Sequence, residues 1–228
     1  MRLTRLTEHI WYMPFEEERD RPNLGYVKGS RWSLAIDAGH SAAHVREFYK
    51  LLEKENLPLP GLTVLTHWHW DHTFGMHAVK GLTLANDKTN RYLAEWKEKT
   101  EKNGPGEFFA LHESIRREYS ENPEVIVKQA DIVFSREITL DLGSCTVKVI
   151  QAEAPHTDDS TLVCVDHDKT LFLGDSAGDD FFTGIKRPDL CRKLADTIRR
   201  INPEICVEGH WVPVNPEDTL ADLMCDIP

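Results

Sequence analysis

The chain has 228 residues, 40% of them apolar, with nine Phe, five Tyr and six Trp, which is enough for one sizeable core or two small ones. Its 38 acidic residues outnumber 27 basic ones, and the net charge of -11 speaks against phosphate-backbone binding and so against a nucleic-acid partner. No run approaches the roughly 20 apolar residues a membrane span needs, and MRLTRLTEHI has no apolar stretch ahead of its charges, so a cytoplasmic protein with no membrane partner is expected.

Strand-like runs open the sequence: HIWYMPF, LGYV and WSLAID, with the polar loop EEERDRPN between the first two. The stretch IDAGHS breaks at Gly39, and a helix is expected from about Ala42 to Glu55, with Val45, Phe48, Leu51 and Leu52 on one face. Pro58 and Pro60 end it. LTVLT then reads as a buried strand leading into HWHWDHTFG, and LTLAN as the next strand. A helix-rich region follows over about 88–120, interrupted by NGPG. ITLDLG, CTVKVIQAEA, STLVCVD and TLFLGD are four short strands, followed by a helix from about Pro188 to Ile201, a strand EICVEGHW and a closing helix PEDTLADLMC. Each half is a group of strands followed by a helix, which predicts one layered α/β domain over 1–228 rather than a regular βαβ alternation. The five cysteines form no CxxC pair and read as free thiols in a reducing compartment, with Cys164 and Cys206 buried.

The chemistry gathers in His67-Trp68-His69-Trp70-Asp71-His72. In an extended segment His67, His69 and Asp71 point one way and the two tryptophans the other; a turn after Asp71, permitted by Gly75, swings His72 back. Imidazole and carboxylate together suit Zn²⁺, with Fe or Mn as alternatives. The bland alternative is a surface cluster of histidines beside a buried aromatic pair. Three later positions at strand ends weigh against it: His156 in AEAPHTDDS, Asp175 in LFLGDS and His210 in CVEGHW. His9, His40, His44, His77, His112 and His167 read as surface or hydrogen-bonding residues, with His40, near Asp37, a candidate for the pocket.

This ordered set, HxHxDH followed by a strand-end His, a GD and a GH, resembles the metallo-β-lactamase-fold hydrolase superfamily over Asp37 to His210. The resemblance implies a four-layer αββα sandwich, two mixed β-sheets flanked by helices. It implies that His67, His69 and His156 bind one metal, that Asp71, His72 and His210 bind a second, and that Asp175 bridges them. Two Zn²⁺ are the expected cofactors. Asp37 then fixes an imidazole tautomer, and Asp71 is the catalytic group that orients a bridging hydroxide in addition to its ligand role. Metal ions about 3.5–4 Å apart lower the pKa of a shared water enough to supply that hydroxide near neutrality.

The fold hosts many reactions, so substrate is approached by exclusion. Zinc β-lactamases of the largest class carry Cys where this chain has Asp175, and three residues later a Lys where it has Gly178. Glutathione thioesterases of the superfamily add a C-terminal helical domain, for which the 18 residues after His210 leave no room. Nucleic-acid-cleaving members carry an inserted domain or projecting arm, and flavodiiron reductases replace the second motif histidine with Glu. The expectation is a dinuclear hydrolase of a small ester, lactone, thioester or phosphoester. The alternative is a mononuclear iron dioxygenase or a non-catalytic metal-binding member of the same fold. The helical insertion at about 88–120, read as two helices, is expected to form a lid or a homodimer contact, the bland alternative being a surface helical hairpin; Trp68 and Trp70 are expected to pack behind the ligands, and Trp211 to wall the pocket. Lys186 and Arg187 either meet an anionic substrate group or lie in a solvated loop.

Overall fold

A computed structural model describes residues 1–225 and 227. Seven strands hydrogen-bond in chain order to form a first sheet: β1 (Thr4–Arg5), β2 (Ile10–Met13), β3 (Leu24–Lys28), β4 (Ser33–Ile36), β5 (Leu62–Val64), β6 (Leu82–Asn86) and β7 (Ile132–Phe134). The strands from β1 to β4 pair antiparallel and those from β4 to β7 parallel. The second sheet comprises β8 (Glu137–Asp141), β9 (Thr146–Gln151), β10 (Thr161–Val165), β11 (Thr170–Gly174) and β12 (Ile205–Glu208), antiparallel except for the parallel pair β11–β12.

Period-two burial explains why these strands stack. Leu34 and Ile36 of β4, Val64 of β5 and Leu84 of β6 meet Val147, Val149, Val163, Val165 and Phe172 of the second sheet in one dry layer. The alternate residue Ala35 faces α1 (Ala42–Lys54) through Val45, Phe48 and Leu52. On the far side Cys164, Leu171 and Leu173 face α6 (Pro188–Ile201) through Leu194, Ala195 and Ile198, with α7 (Pro216–Met224) adding Leu223. The result is the expected order of helix, sheet, sheet, helix. Local chemistry sets the helix ends: the Ser41 hydroxyl accepts from Ala43 N (3.1 Å) and His44 N (3.3 Å), and Pro188 opens α6 where no amide proton is needed. Cys164 and Cys206 are buried as expected, and all five cysteines are free.

The segments that differ from expectation are short or interrupted. β1 and β7 are edge strands of two and three residues, too short for an alternation to register in the sequence. A helix α2 (Trp70–Thr73) occupies part of the histidine motif. The region over 88–120 forms three helices rather than two: α3 (Asp87–Asn103), α4 (Gly106–Leu111) and α5 (Glu113–Glu118). His112 takes an extended conformation (φ -141°, ψ 153°) that separates the last two, so Phe108 and Ile115 are buried while Leu111 is turned outward. Among the described residues, no helix is long and apolar enough to cross a membrane.

A buried ion pair fixes α5 to the strands. Arg21, in the connection between β2 and β3, donates to both carboxylate oxygens of Glu118 at 2.7 and 3.0 Å, and to Glu47 of α1 at 2.9 Å. The Ser41 hydroxyl also donates to Glu118. Removing Glu118 leaves Arg21 with Glu47 and Glu16, but removing Arg21 leaves the Glu118 carboxylate as an uncompensated buried charge, which costs about 3–5 kcal/mol. Arg21→Gln should therefore lower unfolding free energy by about 3 kcal/mol or more in urea denaturation; a loss below about 1 kcal/mol would show that the pair contributes no more than a surface salt bridge.

Candidate metal centre

The convergent residues all leave strand ends or the loops that follow them. Asp37 follows β4, His67 lies three residues beyond β5, Asp175 directly follows β11, and His210 lies two residues beyond β12. His156 comes from the loop between β9 and β10. The two sheets thus aim their C-terminal strand ends into one space, the usual place for a site in sheets with parallel strands.

Two groups of donors meet there. In the first, His67 Nε2 lies 2.9 Å from His69 Nδ1, and His156 Nε2 lies 3.2 Å from the same atom. In the second, His210 Nε2 is 2.9 Å and His72 Nε2 is 3.2 Å from Asp71 Oδ2. Asp175 belongs to both: its Oδ2 is 3.4 Å from His72, 3.6 Å from His210, 3.8 Å from His67 and 3.9 Å from His156, each measured to Nε2. Donor atoms of His67, His69, His156 and Asp175 lie within 4.8 Å of one another, as do those of Asp71, His72, Asp175 and His210. A side chain at Gly209 would overlap the Asp175 carboxylate, so only glycine lets β12 pass this close.

The turn in the motif comes earlier than the alternation argument expects. His69 caps α2 from an extended conformation and Trp70 already starts the helix, held by the Thr73 hydroxyl donating to the carbonyls of Trp68 (2.9 Å) and His69 (2.8 Å). Asp71 therefore leaves the side of His67 and His69 and joins His72. Gly75 does not make that turn; it sits in the following 3-10 segment, where a side chain would strike the Ala38 carbonyl.

The outer ring nitrogens fix which inner nitrogen is free. Asp37 Oδ2 takes the Nδ1 proton of His72 at 2.7 Å, and its two oxygens also accept from Thr66 N (2.8 Å) and Thr66 Oγ1 (2.9 Å). With Thr66 Oγ1 donating to Asp37, its lone pair accepts from His67 Nδ1 at 3.1 Å. His156 Nδ1 donates to the Asp179 carbonyl at 2.9 Å. Each of these rings thereby turns its Nε2 inward. Burial pushes His69 down to about 3 and His67 well below the ordinary imidazole range, so both are neutral donors. Burial also opposes charge on His72 and His210, but the nearby carboxylates outweigh it: Asp71, Asp175 and Asp37 hold His72 well up, and Asp175 and Asp71 raise His210 to about 9.

A family model for the Metallo-beta-lactamase superfamily matches residues 27–210. The chain belongs to this superfamily. No curated protein matches the sequence. Solved structures share the superfamily fold at low identity. A metallo-beta-lactamase from Pontibacter korlensis is 17% identical with a TM-score of 0.69, covering 98% of this chain and 99% of that one. A metallo-beta-lactamase family protein from Thermus thermophilus is 16% identical with a TM-score of 0.65, covering 95% of this chain and 80% of that one. The stereoselective inverting sec-alkylsulfatase from Pseudomonas sp. is 12% identical with a TM-score of 0.68, covering 97% of this chain and 40% of that one.

Around this superfamily centre lie residues with no motif to betray them. Phe181 places its ring 4.0 Å from that of His69 and edge-on to Trp68. Asn23 anchors the His210 loop: its amide donates to the carbonyls of Glu208 and Trp211, both at 2.6 Å, and its backbone N–H to that of Gly209 at 2.7 Å. Trp68 stacks on Trp96 and Trp70 packs edge-on to Phe108, so both indoles form the packed back of the donors. Trp211 is 58% exposed and lines the cleft of about 450 Å³ beside His156, Asp175 and His210. His40 is fully buried and donates Nδ1–H to the Arg19 carbonyl at 3.0 Å, so it does not reach the cleft surface. His9 and His44 are buried hydrogen-bonding residues.

Asp159, in the HTDDS turn, ties this centre to α3 by accepting from Thr89 Oγ1 at 2.8 Å. Burial raises its carboxyl to about 6, against hydrogen bonds from Thr157 and Thr89 that favour the charged form. A carboxyl raised in the fold contributes stability that is full below its unfolded pKa, about 3.9, and lost as pH rises through about 6. Urea unfolding of Asp159→Asn at pH 4 and pH 7 should therefore show the variant gaining on the native chain as pH rises; an unchanged difference would contradict a buried, raised carboxyl.

Proposed function

We propose that the chain is a dinuclear metal-dependent hydrolase of small, neutral, ester-like substrates: esters, lactones or thioesters with an apolar portion. The observation that carries the reading is the position of Asp175 Oδ2, within 3.9 Å of one imidazole pair on each side. The residues fit a metal pair: each donor group combines imidazole nitrogens with a carboxylate and gathers its atoms within 4.8 Å, and the two carboxylates offset much of the charge of two divalent cations. His67, His69 and His156 would hold one ion and Asp71, His72 and His210 the other, with Asp175 in reach of both. Zn²⁺ suits this nitrogen-rich set. When bound, such ions supply water activation near neutral pH and Lewis acidity toward the substrate oxygen.

The chain's own groups supply position. Asp71 orients the attacking water, and its tie to His210 Nε2 keeps the carboxylate aimed at the cleft. Trp68, Trp70 and Phe181 keep bulk water from the back of His69. Trp211 offers an apolar wall to the acyl or alcohol part. Neutral substrates are favoured by what lines the cleft. Lys186 Nζ is spent on the carbonyls of Asp222 (3.0 Å) and Cys225 (2.9 Å), and Arg187 pairs with Asp180 (3.3 Å) and Asp189 (3.7 Å). Asp179, Glu208 and Asp222 line the same cleft and would repel an extra carboxylate. Both metal groups being complete favours two ions over the single-iron alternative.

Metal analysis should return about two zinc equivalents per chain, with His67→Ala losing metal and Asp71→Asn lowering turnover about 10²-fold or more. One redox-active iron per chain would replace this reading with the dioxygenase one. On matched aryl esters, a neutral acyl group should be preferred about tenfold or more in kcat/KM over the same group bearing a carboxylate; equal rates would refute the neutral-substrate assignment.

A further inference from the structure

A second cluster of metal-binding side chains lies at the other end of β11. Asp175 follows that strand, whereas His167 and Asp168 belong to the turn that precedes it, so five residues of extended chain, about 17 Å, separate the two places. There the segment before β2 in the first sheet touches the β10–β11 turn of the second. We propose that Glu8, His9 and His167 form a divalent-metal site, of the kind Zn²⁺ occupies, that clips the two sheets together.

One donor atom from each of the three residues lies within 4.8 Å of the others. The His9 side chain is only 11% exposed and that of Asp168 2%, and the Asp168 carboxylate accepts from His9 Nδ1 at 2.9 Å and from the His9 backbone N–H at 3.2 Å. That carboxylate keeps the proton on Nδ1 and directs the Nε2 lone pair outward, the arrangement by which a carboxylate orients a metal-bound histidine. Nε2 makes no hydrogen bond to any described residue. The His167 ring stands edge-on to that of His9, with centroids 5.0 Å apart at 85°, so two imidazoles converge without stacking face to face. Glu8, exposed beside them, supplies the charge that two neutral imidazoles lack. Two nitrogens, one carboxylate oxygen and a water complete a tetrahedral shell. Because Glu8 and His9 come from one sheet edge and His167 from the other sheet, an ion held there favours the folded chain over the unfolded one.

The test uses the protein carrying its tightly bound metal, titrated with zinc chloride alone and followed by equilibrium dialysis and thermal melts. The native chain should take up one further equivalent and melt at a higher temperature. His167→Ala and the surface variant Glu8→Gln should bind that equivalent about tenfold or more weakly and lose the rise in Tm. Both should keep the tightly bound metal. Uptake and Tm rise identical in the native chain and both variants would overturn the proposal, as would no further uptake by the native chain.

Discussion

Four imidazole nitrogens approach one carboxylate oxygen, Asp175 Oδ2, and much of the architecture follows from holding that arrangement. The carboxylate comes from the second sheet while His67, His69 and His72 come from the first, so the inter-sheet core must fix the distance between them. The valines of β9 and β10 and Phe172 of β11 do this by meeting β4 and β5 in a single apolar layer. The same crowding requires glycine at 209, and it requires acceptors behind the rings: Asp37, Thr66 and the Asp179 carbonyl.

The helices between β6 and β7 serve that arrangement from outside. Trp68 and Trp70 turn away from the donors into a cluster with Leu93, Phe108, Ile115 and Tyr119. Arg21 and Glu118 lock the end of this cover to the connection between β2 and β3. Asn23, two residues beyond Arg21, holds the His210 loop. One short connection thus steadies both the helical cover and the last donor. The remaining opening is lined by Trp211 and by acids, with its neighbouring cations already paired.

What could be read from the sequence was whatever repeats or has fixed spacing. The strands with four or more residues show as short strand-like runs between turn residues, and α1 shows as the apolar face of Val45, Phe48, Leu51 and Leu52 ended by prolines. The seven convergent residues were legible because their ordered set, HxHxDH followed by His156, Asp175 and His210 at strand ends, resembles that of the superfamily. The local path between them was not. Nothing in HWHWDH distinguishes a turn at Trp70 from one after Asp71; the Thr73 hydroxyl decides it. Phe181, Asn23 and the Arg21–Glu118 pair act across more than 90 residues, and single residues of common type carry no periodic signal. The His9–Asp168 pair escaped for the same reason, with its members 159 residues apart.

The central claim is that Asp175 is shared by two metal ions. X-ray absorption at the zinc edge on the loaded protein tests it most directly. The account predicts a metal–metal scattering path at about 3.5–4 Å that disappears in Asp175→Ala; a spectrum with imidazole scattering and no metal–metal path at two zinc equivalents per chain would contradict it.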